Sequence, residues 1–327
     1  MIRYIAARLG QALFVIWAAF TLGFLLLYVM PSDPALIIAN QGQGEGGGNV
    51  SPADLQVLRH QLGLDKPLIL QYLTALVNAV TLNWGTSYQT KQTVLPLITG
   101  ALGPTAQLAL GALLIALVIG LLLGFAGTYF RRGKIRALLL SLPSFGASLP
   151  TFWTGLVLIQ LFSFAIPLFP AFGNKGWQSN VLPSLALAIP AGAIIAQVFA
   201  RSMRTELAEQ YIDTARARGA TRFRIQYVHA ARNAVLPVLA MFGMLLGTLL
   251  AGSVVTETVF ARQGFGRITV TAVDQQDLPV ILGVIIICAS VFAFANLAVD
   301  LLFPLINPRL ADRRQRSRAL TAETIHA

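Results

Sequence analysis

Long apolar runs alternate with shorter polar stretches along the whole chain. The apolar runs cover residues 9–30, 105–130, 137–166, 181–200, 238–256 and 280–303. A helix needs about 20 apolar residues to cross the hydrocarbon core of a bilayer, so each run predicts a transmembrane helix. The third run is the least regular. Pro143 and Pro150 interrupt it, which predicts a kink or a flat-lying first part. The polar stretch after the first run is also organised. A flexible GQGEGGGN run fills 42–49 and reads as a linker, not a phosphate cradle. Ser51 and Pro52 supply a helix N-cap and first turn, Leu55, Leu58 and Leu62 recur at helical spacing, and Gly63 closes that helix. Residues 67–80 read as a further amphipathic segment.

The pattern inverts at 201–237. Residues 211–237 read YIDTARARGATRFRIQYVHAARNAVLP, basic and polar between two apolar runs. Leu207, Tyr211 and Ala215 fall in line at i, i+4 and predict a helix over 206–218. Gly219 is placed to stop it in the left-handed conformation. Thr221 is placed to cap a second short helix over 222–231, and Pro237 opens the fifth span. Ala215, Ala217, Gly219 and Ala220 make the middle of the segment slim. Two readings stand side by side here. The segment inserts into a groove on another protein, or it lies on the lipid surface and its arginines only orient the chain.

Composition supports the membrane reading. Hydrophobic residues make up 56% of the chain and charged residues 11%, against about 25% charged in soluble domains. The net charge of +11 raises the question of nucleic acid. The positions of the basic residues answer it. With the N-terminus inside, Arg3 and Arg8, the 131–136 cluster, the arginines of 201–232 and those of 309–318 all fall inside. Only Arg59, Lys66, Lys91, Lys175, Arg262 and Arg267 fall outside. This asymmetry predicts both termini in the cytoplasm. Charge spread over every inside segment orients spans, whereas a nucleic-acid binder gathers it on one face. The first run is longer than a signal-peptide core and ends at Pro31-Ser32-Asp33-Pro34, so it is read as a retained span. The single cysteine, Cys288, leaves no disulfide framework and reads as a small buried hydrophobe.

The span interiors lack Asp, Glu, Lys, Arg and His. Asp300 stands near the inner end of the last span and Glu257 at the outer end of the fifth. A proton- or ion-driven carrier usually needs ionisable groups at membrane depth, so this argues against one. His60, His229 and His326 form no catalytic constellation. No G-x-x-x-x-G-K-[ST] occurs, because Thr128 stands where Gly133-Lys134 would need a preceding glycine. Gly120 with Gly124, and Gly243 with Gly247, are small-xxx-small pairs, for packing within the chain or against a partner.

Several motifs in order carry a resemblance. Asp213-Thr214-Ala215-x-x-x-Gly219, followed by Leu236-Pro237, resembles the EAA loop of permease subunits of binding-protein-dependent ABC importers. The interval from Gly219 to Pro237 is similar to that of the dipeptide, oligopeptide and nickel branch. Pro31-Ser32-Asp33-Pro34-Ala35, Leu62-Gly63-Leu64-Asp65-Lys66-Pro67, Gln71-Tyr72 and Trp84-Gly85-Thr86-Ser87 resemble the first part of that branch. Glu257-x-x-Phe260-x-x-x-Gly264-x-Gly266-Arg267, Asp277-x-Pro279, Asn296-x-x-x-Asp300 and Asn307-Pro308-Arg309 resemble its later part.

The resemblance implies an all-α polytopic protein with six transmembrane helices, the type I ABC importer transmembrane fold, and a largely helical external insertion. On this view residues 1–30 are the tail and first span, 31–104 the external region, 105–310 a five-helix core with the EAA loop at 201–237, and 311–327 a cytoplasmic tail. It implies a plasma-membrane permease subunit that is not an enzyme and works beside a related second permease chain. Two ATPase subunits, or one fused pair, would hold ATP and magnesium; this chain would hold no cofactor or metal. An external binding protein would deliver substrate. Peptide is the expected cargo, with nickel, glutathione or another small solute as alternatives; a secondary transporter or channel is the reading from another class. Tyr211, Asp213, Thr214, Ala215, Arg216, Arg218, Gly219 and Arg222 are the expected coupling residues.

Glu257, Phe260, Gly264, Phe265, Gly266, Arg267 and Asp277 form the second expected site. Gly264 and Gly266 allow a tight bend around Phe265, and Arg267 is placed to pair with Asp274 or Asp277 across it. The segment is either a loop packed over the spans or an outer gate that meets the binding protein.

Overall fold

A computed structural model of the chain describes residues 2–29, 35, 36, 39, 51–61, 63–130 and 133–306. Residues 31–34, the glycine-rich stretch at 42–49, Leu62, Arg131, Arg132 and residues 307–327 lie outside the described residues. Among the described residues the regular structure is helical.

Helix α1 (Ile2–Val29) is uncharged from Leu9 onward. Two short helices follow, α2 (Pro52–Gln61) and α3 (Leu68–Val80). The backbone N–H of Ala53 donates to Ser51 Oγ, and Gly63 turns the chain at φ 68°. Both match the local chemistry read from the sequence. Helix α4 (Val94–Tyr129) then runs unbroken through Pro104, so it begins well before the expected position 105.

Among the described residues five helices are long and apolar enough to cross a membrane; a sixth span needs two helices joined across a 102° bend. These are α5 (Lys134–Ser148) and α6 (Thr151–Ile159), the latter extended by a π turn, Gln160–Ala165. The bend falls at Leu149 and Pro150, both extended. Pro150 has no N–H to continue the ladder and forces its predecessor out of the helical region.

Helix α7 (Gln178–Glu206) is longer than its apolar run and carries Arg201 and Arg204 on its last turns. Then come α8 (Gln210–Ala217), α9 (Arg222–Arg224), a π turn Ile225–Ala230, α10 (Ala231–Ala234) and α11 (Leu236–Ala240). The first short helix thus starts at Gln210 rather than 206, because α7 uses Glu206 as its own last turn. Helix α12 (Phe242–Val259) is followed by α13 (Phe265–Asp274) and α14 (Leu278–Ile306).

Helices α4 and α7 form the central pair. A Cβ on Gly120 would meet Ile195 Cβ at 2.6 Å and Gly192 O at 2.7 Å, and one on Gly124 would meet Phe199 Cδ1 at 2.9 Å. Glycine at these positions lets the two backbones approach closely. Gly243 and Gly247 face Asn296 and Phe292 of α14 in the same way. Both pairs therefore serve packing within the chain. The core runs from Leu108, Ala112, Ala116, Leu187, Ile195, Phe199 and Met203 into Ile212, Ile225, Ala230 and Ala234. The polar segment at 210–234 thus stands on a continuous apolar floor shared with the spans.

Candidate functional site

Two polar clusters contact α4, one at its last turns and one at Thr105 nearer its start. The first is built on 206–233. Ile212 and Ile225 are buried, which seats α8 and the π turn against α4 and α7. Between them Gly219 adopts φ 77°, and a Cβ there would meet nothing within 4 Å. The turn therefore needs glycine for its backbone, not for space. Thr221 Oγ1 accepts from the Arg224 N–H and starts the next helix.

The segment is joined to the end of α4 by specific contacts. Gln226, buried, donates through Nε2 to Phe125 O at 3.0 Å and to Thr128 Oγ1 at 2.5 Å. The Arg222 guanidinium lies 5.0 Å from the Tyr129 ring centroid and donates to Thr128 O. A second knot closes the other flank. Tyr211 Oη donates to Glu206 Oε2 at 2.6 Å, and Asn233 Nδ2 donates to the same oxygen at 3.1 Å. Burial, then the bond to Glu206, push the Tyr211 phenol up to about 12.

What remains outward is Asp213, Thr214, Arg216, Arg218 and Gly219, with Ala215 half-buried beneath them. Arg216 pairs with Asp213 at 2.8 Å, an exposed pair that contributes little. Phe223 and Tyr227 are also outward and stack on one another, with ring centroids 5.7 Å apart. Sequence reading singled out neither, since an aromatic pair at i, i+4 looks like core.

The second cluster forms where α12 ends. Glu257 is fully buried. It accepts from Thr105 Oγ1 at 2.5 Å, from the Gly266 N–H at 2.7 Å and from the Arg267 N–H at 3.3 Å. The Phe265 N–H donates to Thr105 Oγ1 at 2.8 Å. A carboxylate borrowed from α12 and a hydroxyl borrowed from α4 thus satisfy the free N–H groups at the start of α13. The glycines are required by proximity. A Cβ on Gly264 would collide with the Glu257 carboxylate, and one on Gly266 with the Val254 backbone. This is why 265–274 is a docked helix and not a simple loop.

Arg262 is the residue most clearly missed. It is 2% exposed, donates to Ser179 O at 2.8 Å and to Gly173 O at 3.4 Å, and leaves Nε without a partner. Burial lowers its pKa, and nearby Glu257 opposes that shift. Ala261, beside it, holds φ 48°, a conformation rare for alanine. That turn aims the guanidinium inward.

The expected pairing of Arg267 with Asp274 or Asp277 is corrected. Asp277 accepts from Ser87 Oγ at 2.5 Å and from the N–H groups of Tyr88 and Gln89 at 3.2 and 3.4 Å. Its carboxylate is already enclosed by the segment before α4. Arg267 contributes its backbone to Glu257 instead. Phe260 is buried with its ring against Gly155. An open apolar cleft of about 470 Å³ lies beside Val259, lined by Trp153, Leu156, Phe164 and Phe172, with Gln160 polar among them.

Comparison with known proteins places this arrangement. Residues 116–312 match the family described as binding-protein-dependent transport system inner membrane component, and residues 1–109 match its N-terminal membrane component. This chain belongs to that family. The glutathione transport system permease protein GsiC of Escherichia coli (strain K12) is 34% identical over 310 residues, covering 95% of this chain and 99% of the relative. The protein of that name from Salmonella paratyphi A is 34% identical over 314 residues, with the same coverage. A crystal structure of an amino acid ABC transporter with histidines covers 66% of this chain and 94% of its own, at TM-score 0.48 and 18% identity.

The chain is therefore a permease subunit of an ABC importer, in the peptide and nickel branch, and a multi-pass component of a bacterial inner membrane. Such a permease is not itself an enzyme, and its system includes ATPase subunits and a substrate-binding protein.

Proposed function

We propose that this permease forms half of a peptide path beside a related second chain, and takes up the ATPase stroke through residues 210–222. Two ATPase subunits, or a fused pair, bind ATP and magnesium and grip the outward face of Asp213, Thr214, Arg216, Arg218 and Gly219. Both termini lie in the cytoplasm, with 201–237 on that side and the 257–277 cluster outside, where the binding protein docks. The division into a first span, an external region, a five-helix core and a tail follows this topology.

One observation carries the reading. Helix α4 is bonded to the 222–226 segment near one end, through Phe125 and Thr128, and to Glu257 through Thr105 towards the other. A push on 210–222 thus has a stiff route to the opposite face. Glutathione is the second reading for the cargo, because the relatives carry it in their names and it is itself a tripeptide.

The test is reconstitution of the permease pair with its ATPase subunits and binding protein in proteoliposomes. Di- and oligopeptides should stimulate ATP hydrolysis and accumulate inside. Stimulation by glutathione alone would move the cargo to the second reading, and stimulation by nickel alone would remove both. Cysteine cross-links from Arg218 should reach an ATPase subunit; failure to capture one would remove the coupling role.

A further inference from the structure

The large side chains that helix α3 turns outward are apolar; Thr74 is outward too, with its hydroxyl donating back to Leu70 O. Ile69, Leu70, Leu73, Val77 and Val80 are between 48% and 78% exposed. Gln71 instead donates to Leu64 O and Lys66 O, and the Tyr72 hydroxyl meets Thr21 Oγ1 at 2.8 Å. The Trp84 indole donates to Ala79 O, closing the far end of the helix. No residue of α3 is charged; Asp65 and Lys66 stand just before it. A helix facing water shows the opposite arrangement.

Its depth is set by its partners. The Tyr72 ring packs on Phe20 and Phe24, with centroids 6.0 and 5.4 Å apart. Those residues and Thr21 lie within the apolar span Ile5–Leu27 of α1. At about 1.5 Å per residue, Thr21 sits roughly 9 Å inside the end of that span. With 13 residues, α3 is about 20 Å long, too short to cross about 30 Å of hydrocarbon.

We infer that α3 is embedded in one leaflet of the bilayer, with Ile69, Leu73, Val77 and Val80 against lipid acyl chains. The segment before α4 is then not wholly aqueous. Its outward stripe continues the lipid-facing surface of α1, where Leu22, Leu25 and Leu26 are equally bare. Asp65 and Lys66 mark where the chain leaves the headgroups, and Gln71 and Asn78 stay on the protein side. The occupant is lipid rather than a protein groove. The stripe carries no charge, its exposed Thr74 hydroxyl is already bonded to Leu70 O, and it joins an apolar surface that already belongs to a span.

The experiment uses the full permease assembled with its partner subunits in vesicles, with Cys288 replaced by serine. Single cysteines at Ile69, Leu73, Val77 and Val80, and at Gln71 and Asn78 for comparison, are labelled with bimane. The four stripe positions should be quenched by brominated phospholipid and spared by aqueous iodide, with quenching that follows the helical period. Iodide quenching at the stripe would overturn the inference, as would protection from both quenchers, which would mean a protein cover. Because conservative cysteine replacements read the environment directly, the answer does not depend on transport or on which solute is carried.

Discussion

Thr105 of α4 and Glu257 of α12 share a 2.5 Å hydrogen bond, while the same threonine oxygen receives the first N–H of α13. One hydroxyl therefore ties three helices together. Replacing Glu257 by glutamine should weaken the N-terminus of α13, since an amide offers one acceptor oxygen where the carboxylate offers two. A loss of about 1–3 kcal/mol is expected for the unpaired buried donors. Hydrogen exchange at Gly266 and Arg267 should accelerate, with exchange in α7 unchanged. Unaltered protection at Gly266 would show that α13 is held by its apolar face alone.

Gly219 separates backbone demand from space. A valine Cβ has room, but the left-handed conformation costs an L-residue about 1–2 kcal/mol. Gly219→Asn should lose less than Gly219→Val, because asparagine tolerates that conformation. ATPase-subunit retention and transport, measured side by side for the two variants, should rank in that order. Equal loss in both would point to a contact with the partner instead.

Gln226→Leu should uncouple the 210–234 segment from α4. It keeps the volume but leaves Phe125 O and Thr128 Oγ1 short of a donor, again about 1–3 kcal/mol. Assembly should persist, because Ile212 and Ile225 still seat the segment. ATP hydrolysis should then continue with reduced transport. Coupled transport at the parental ratio would remove the amide from the route.

Tyr88 gives a pH dependence with a definite sign. Burial, then the Asp277 carboxylate, push its phenol from 10.0 up to about 12. The unfolded phenol ionises first. The native state is therefore favoured fully below pH 10, and this contribution disappears as pH climbs to about 12. Alkaline unfolding of the assembled permease should show a shallower slope in that window after Tyr88→Phe. An unchanged slope would mean that Tyr88 is not held as described.

Local signals were readable in the sequence, and long-range ones were not. Bilayer thickness sets a length for apolar runs, so the spans could be counted from hydropathy alone. Their ends could not, because the helices outrun the apolar stretches that mark the spans: Val94 to Gly103 extend α4 at its start, packed against the protein through Val94 and Ile98, and Arg201 and Arg204 extend α7. Gly219 and Thr221 act on neighbouring backbone, and both were legible. Asp277 finds Ser87 across 190 residues, and Arg262 finds Ser179 across 83. No spacing rule connects such pairs. Arg262 reads as an outside charge until Ser179 O and Gly173 O are seen to enclose it.

On the proposed coupling, the unbroken course of α4 through Pro104 makes it a lever. Thr105 and Thr128 lie roughly 35 Å apart along its axis, at about 1.5 Å per residue. A tilt of about 5° pivoting on Thr105 would carry Thr128 sideways by about 3 Å, the length of a hydrogen bond. A far smaller rotation than any domain movement therefore suffices to break or remake a contact at the opposite end. A break at Pro104 would have placed a soft joint beside the pivot and absorbed that motion; continuity delivers it.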